Sequence, residues 1–144
     1  MPRFTDTSTP GSCVFCRLIA GDIPSSRVYE DEQTLAFMDL GQVNPGHVIV
    51  ATRRQVETIL ELDDELAGAL FRTVTRVARA VDAAFSPEGI TVLQANKPAG
   101  WQTVPHVHLH VLPRYQNDGV GLVWPRKEPP LEQLRELAAR IRVA

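Results

Sequence analysis

Two hydrophobic periods organise this chain. From Asp63 onward, Leu66, Leu70, Val74, Val77, Val81 and Ala84 recur at steps of three and four, the stripe of an amphipathic helix. Asp63, Asp64 and Glu65 supply negative charge to its first turn, where the helix dipole favours it. Ser86-Pro87 ends the pattern. Arg72, Arg76 and Arg79 fall on the opposite side and read as a solvated face. Before the helix come short runs rich in branched and aromatic residues: Arg27–Glu30, Thr34–Asp39 and His47–Thr52. Two more follow it, at Ile90–Ala95 and His106–Leu112. Turn residues separate them, notably Asn44-Pro45-Gly46. A short helix is expected at Cys16–Ala20 and a C-terminal one at Leu131–Val143, while residues 1–12 read as a disordered or loosely packed lead-in to one domain, 13–144. Strands, a long helix, then strands again predict an α+β fold, an antiparallel sheet packed on the helix.

Composition narrows the function classes. The 144 residues carry a net charge of −2, so no strong field recruits nucleic acid or an anionic membrane, and phosphate recognition has to be local. The first twelve residues lack an apolar run, and no run is long enough to span a bilayer, which makes a cytoplasmic location the default expectation.

The most informative run is His106-Val107-His108-Leu109-His110-Val111, with three of the chain's 4 histidines. On a strand, alternate side chains share a face. His106, His108 and His110 are therefore expected on one face at roughly 6.6 Å steps, with Val107, Leu109 and Val111 turned to the long helix. Imidazole serves both as nucleophile and as proton carrier near neutrality. A strand His-x-His also suits zinc, but a zinc hydrolase usually adds a nearby carboxylate base, and residues 96–115 contain none. The preceding loop, Asn96–Val104, offers an amide, a hydroxyl and backbone N–H donors for phosphoryl oxygens. Trp101 and Trp124 are expected in packing or dimer contacts.

The run from Gln102 to Leu112 resembles the signature of the histidine triad (HIT) proteins. So do Cys13–Cys16 with Gly21-Asp22-Ile23-Pro24, then Val28–Asp31, Leu35–Asp39 and Gly46–Val50, in that order. The resemblance implies a homodimer with sheets joined across the interface. It also implies a hydrolase or transferase attacking the α-phosphate of a nucleoside monophosphate ester, anhydride or phosphoramidate, with purines the expected nucleotides and the purine nucleoside phosphoramidases the expected branch. His108 falls at the nucleophile, which passes through a nucleotidyl-histidine. His106 and His110 flank it, Gln102 and Thr103 fall at phosphate and leaving-group contacts, Asn96 at the loop asparagine and His47 at the residue orienting the triad. Phe15, Leu18, Phe37 and Leu40 fall where the base is sandwiched, and Asp39 where the ribose hydroxyls are held. Pro98 departs from the family's usual glycine.

An imidazole nucleophile requires no cofactor. Cys13-x-x-Cys16 reads either as an empty, reduced pair or as half of the structural zinc site that many members build with His106 and a further histidine. Gln55 stands at that further position, a poor zinc ligand that leaves only three of the four ligands structural zinc prefers. Two other functions fit the same residues. One is a metal-dependent hydrolase using His106, His108 and His47. The other is a non-catalytic nucleotide-binding protein, which has no need of three imidazoles.

Overall fold

A computed structural model describes residues 4–143. Five strands form one antiparallel sheet: β1 Arg27–Glu30, β2 Thr34–Met38, β3 Val48–Thr52, β4 Gly89–Gln94 and β5 His108–Arg114, in the order β1-β2-β3-β5-β4. Three helices accompany it: α1 Val14–Ile19, α2 Asp64–Phe85 and α3 Leu131–Ile141. The α+β expectation holds.

Each face of the central strands has its own apolar layer. Ala36, Val48, Val50, Leu109 and Val111 meet Leu66, Leu70, Val74, Val77 and Val81 of α2. Leu35, Phe37, Ile49 and Ala51 point the other way, to Phe15 and Leu18 of α1. Central strands covered on both sides read as nearly continuous apolar runs, hence Val48-Ile49-Val50-Ala51. Asp63 caps α2 by accepting the Leu66 N–H at 2.8 Å. Ser86 closes it in the left-handed conformation. The buried stripe stops at Val81; Ala84, expected in it, is exposed.

The lead-in is tied to the domain through Asp6. Its Oδ2 accepts the Val14 N–H at the start of α1 (2.7 Å), and its own N–H donates to the Thr103 carbonyl (2.6 Å). Residues 1–3 of that lead-in, and Ala144, lie outside the described residues. At the other end, every residue of α3 is exposed, including Leu131, Leu134, Leu137 and Ile141. No described helix is long and apolar enough to cross a membrane.

The α2 layer supplies most of the burial, so truncation there should be costly. Leu70→Ala is expected to lower unfolding free energy by about 2–5 kcal/mol in urea titration, because Leu70 is 2% exposed at the centre of that layer.

Candidate active site

The site lies on the α1 face of the sheet, where β3 and β5 run side by side. His108 pairs with Ala51 and His110 with Ile49, so both imidazoles project to the face opposite α2. Their ring centres are 5.1 Å apart. The rings of Phe15 and His108 meet in a T-shaped contact with centres 4.9 Å apart.

His106 is not on the strand. The structure corrects the expected His106–Leu112 boundary: residues 104–106 form a bend and β5 begins at His108. Pro105 has no N–H to give a ladder, the His106 N–H folds back onto the Val104 carbonyl (2.8 Å), and Val107 donates to Val56 (2.7 Å). The His106 ring turns to the cysteines instead. Its Nδ1 lies 3.5 Å from Cys13 Sγ and 3.4 Å from Cys16 Sγ.

Hydrogen-bond partners assign the protons. The His106 carbonyl can only accept, so His108 Nδ1 carries the proton in their 2.6 Å bond. The Thr52 carbonyl likewise fixes the proton of His106 on Nε2 (2.6 Å) and leaves Nδ1 as a lone pair towards sulfur. At His47, the Val43 N–H donates to Nδ1 (3.3 Å), so Nε2 bears the proton. That proton is shared between His110 Nδ1 (2.8 Å) and Asp39 Oδ2 (3.3 Å). His110 is thereby left with its own proton on Nε2. His108 ends with Nε2 unprotonated. Among the described residues no fully buried side-chain nitrogen or oxygen lacks a partner, so this unpaired Nε2 reaches the surface of an otherwise buried ring.

Burial keeps the cluster uncharged. It pushes His108 down to about 4, helped by the neighbouring His110, and His110 down to about 4, helped by His47. His47 is lowered by burial against the opposing pull of Asp39, and His106 by burial against the Thr52 carbonyl. Burial raises the Cys13 thiol to about 11.

The remaining expected site residues divide. Phe15, Leu18 and Phe37 form a buried apolar floor beside His108. Leu40 does not join it and is fully exposed, because Asp39 Oδ1 accepts the Gly41 N–H (2.8 Å) in a tight turn that throws Leu40 outward. Gln102 braces the loop: its amide bonds the Lys97 N–H (2.7 Å) and the carbonyls of Glu57 (2.7 Å) and Val104 (2.9 Å). Asn96 accepts the Ile59 N–H (2.9 Å), and Thr103 is half-buried with its carbonyl on Asp6. Trp101 and Trp124 are both exposed. The sequence reading missed Gln42. Its Oε1 accepts the N–H groups of Gly46 and His47 (2.9 Å each), and its Nε2 donates to the His47 carbonyl (2.7 Å), which closes the loop that presents His47. Gly46 is required there: at φ 105 its position would bring a Cβ within 2.7 Å of the Phe85 ring.

A surface cavity of about 440 Å³ lies elsewhere, between Glu88 and the Arg114–Asp118 ion pair. It is open and holds none of the histidines, so the chemistry of the imidazole cluster locates the site better than cavity size does.

Neutral burial has a pH signature. The unfolded chain binds protons at histidine near pH 6.5, whereas folded His108 and His110 bind them only near pH 4. Stability is therefore full above pH 6.5 and is lost as pH falls from 6.5 towards 4, on the order of 3 kcal/mol for His108 alone. Urea unfolding across that range should be less pH-dependent in His108→Gln than in the wild type.

The HIT domain family matches residues 20–117 of this chain. Protein hit of Bacillus subtilis is 46% identical over 114 residues, covering 78% of this chain and 79% of that protein. Adenosine 5'-monophosphoramidase hnt1 of Schizosaccharomyces pombe is 33% identical over 131 residues, covering 90% of this chain and 96% of its own length. A crystal structure of a HIT family member from Bacillus subtilis superposes with a TM-score of 0.88 at 42% identity, covering 92% of this chain and 98% of that one. This chain belongs to the histidine triad family of nucleotide-binding hydrolases and transferases.

Proposed function

We propose that the chain hydrolyses or transfers the nucleotidyl group of a purine nucleoside phosphoramidate, ester or anhydride through a covalent intermediate on His108. One observation carries this reading: the His106 carbonyl holds the His108 proton on Nδ1, leaving a lone pair on an accessible Nε2. That nitrogen bonds to the α-phosphorus as the bond to the leaving group breaks. The positive charge that develops on the His108 ring faces the His106 carbonyl at 2.6 Å. The leaving nitrogen or oxygen takes a proton from His110 Nε2. Water then attacks phosphorus, returns a proton to His110 and releases the nucleoside monophosphate from His108. His47 and Asp39 hold His110 in the tautomer this requires. The base lies against Phe15, Leu18 and Phe37, and Asp39 receives the ribose hydroxyls.

A single metal held by His106, His108 and His47 has less support. The His106 lone pair points at sulfur and His47 Nε2 at His110, so the three rings do not converge. The family's structural zinc would be held by Cys13, Cys16 and His106, away from the phosphoryl path. The chain acts as a homodimer through the free edge of β4, where Val92 is exposed. Light scattering coupled to size exclusion should give twice the monomer mass; a monomer at micromolar concentration would count against this.

His108→Ala is expected to cut turnover of adenosine 5'-phosphoramidate by about 10³-fold or more while nucleotide binding persists. Mass spectrometry of wild-type enzyme quenched during turnover should find a mononucleotide adduct on His108. An adduct elsewhere, or an active His108→Ala variant, would reject the mechanism.

A further inference from the structure

Gln55 sits where the family's zinc site has a histidine, yet its side chain is aimed at the cysteines. Its Nε2 donates to the Pro105 carbonyl (2.7 Å), which leaves Oε1 facing Cys16 Sγ at 2.8 Å and Cys13 Sγ at 3.6 Å. Cys13 and His106 are fully buried. Four donors thus face one another: two sulfurs, an imidazole nitrogen and an amide oxygen.

Their spacing suits a tetrahedral ion. With bonds of about 2.3 Å to sulfur and 2.1 Å to nitrogen or oxygen, sulfur stands about 3.6 Å from each lighter donor around zinc. The two sulfur–nitrogen distances are 3.5 and 3.4 Å, and Cys13 Sγ to Gln55 Oε1 is 3.6 Å. The fourth edge, Cys16 Sγ to Gln55 Oε1, is a thiol hydrogen bond at 2.8 Å. It opens to about 3.6 Å when a metal replaces the thiol proton.

The surroundings are those of metal ligands as well. His106 donates Nε2–H to the Thr52 carbonyl, the outer contact that fixes a ligating imidazole with its lone pair inward. The Cys16 N–H donates to Cys13 Sγ at 3.3 Å, a contact that stabilises a thiolate. His106 also reaches the active site through its backbone: its ring faces the sulfurs, while its carbonyl holds the Nδ1 proton of His108.

We propose that Gln55, through its amide oxygen, is the fourth ligand of a divalent-metal centre with Cys13, Cys16 and His106, and that this centre fixes the His106 carbonyl that orients His108. An amide oxygen is a neutral, hard donor beside two soft thiolates. This centre therefore holds its metal less tightly than one with histidine at the same position, and its occupancy responds to metal supply.

The test is titration of reduced, metal-free full-length protein with Co²⁺, read by visible absorption and by competition with a chromophoric chelator. One equivalent should bind with the intense bands of tetrahedral thiolate coordination. Gln55→Ala should weaken binding about tenfold or more, while Gln55→His and Gln55→Glu should tighten it. Should the alanine variant fail to fold by circular dichroism, the two ligating variants carry the comparison. Absence of stoichiometric binding overturns the centre. Unchanged affinity across the variants overturns the assignment of Gln55. For the link to the active site, the nuclear magnetic resonance signal of the His108 Nδ1 proton should shift between metal-free and Zn²⁺-loaded protein; a signal that stays put overturns the coupling. None of these readouts needs turnover, so failure here leaves the nucleotidyl mechanism standing, and failure of that mechanism leaves the centre standing.

Discussion

The site depends on one hydrogen bond between residues two apart in sequence, from His108 Nδ1 to the carbonyl of His106. In a continuous strand that carbonyl points sideways into the ladder and is taken by a neighbouring strand. Here the chain bends over residues 104–106, so the carbonyl is free to meet the ring. The bend in turn rests on Pro105, which donates nothing to a sheet, and on the Val107–Val56 bond that re-anchors the backbone one residue later. A geometric interruption of the strand thus sets the tautomer of a side chain on it.

Keeping the cluster neutral is what makes that tautomer useful. A buried imidazole that charged at pH 7 would lose its lone pair. The apolar floor of Phe15, Leu18 and Phe37 holds the rings in a medium where the charged form is disfavoured. The same burial makes every unpaired nitrogen costly, and the protein meets that cost with backbone carbonyls and N–H groups from Thr52, His106 and Val43. Among the described residues, the only carboxylate bonded to this cluster is Asp39, itself held by the Gly41 N–H. With a net charge of −2 on the whole chain, no strong long-range field draws in a phosphoryl group, and recognition has to be local.

Local periodicity was readable and long-range partners were not. The alternation of Val107, Leu109 and Val111 against His108 and His110 places each set on its face, because a period of two is a property of the strand alone. The stripe on α2 was legible for the same reason up to Val81. His106 departs from the alternation because Pro105 and its own N–H bond to Val104 override it. Gln102 has the right chemistry for a phosphate contact, but its direction is set by the Glu57 carbonyl, 45 positions away in sequence. Gln42 and Asp6 carry no motif; their roles exist only once the loop at 39–47 closes and the start of α1 meets residue 103. Leu40 looks like a base-clamping residue by type, yet the Asx turn at Asp39 decides its direction.

One letter therefore spells three different environments within five residues. At 106 the backbone is bent and the ring is turned to sulfur. At 108 the backbone is extended and the ring leans back on its own chain, which leaves Nε2 without a protein partner. At 110 the ring reaches across to β3's entry loop and shares a proton with His47. Substituting any of the three side chains removes a distinct thing: a ring facing the sulfurs, a ring bonded to its own backbone, or the partner of His47. The spacing persists because β5 supplies the common face for two of them, while the bend before it lets the third serve its neighbour through a carbonyl, an atom that no side-chain substitution can delete and only a change in the bend can move.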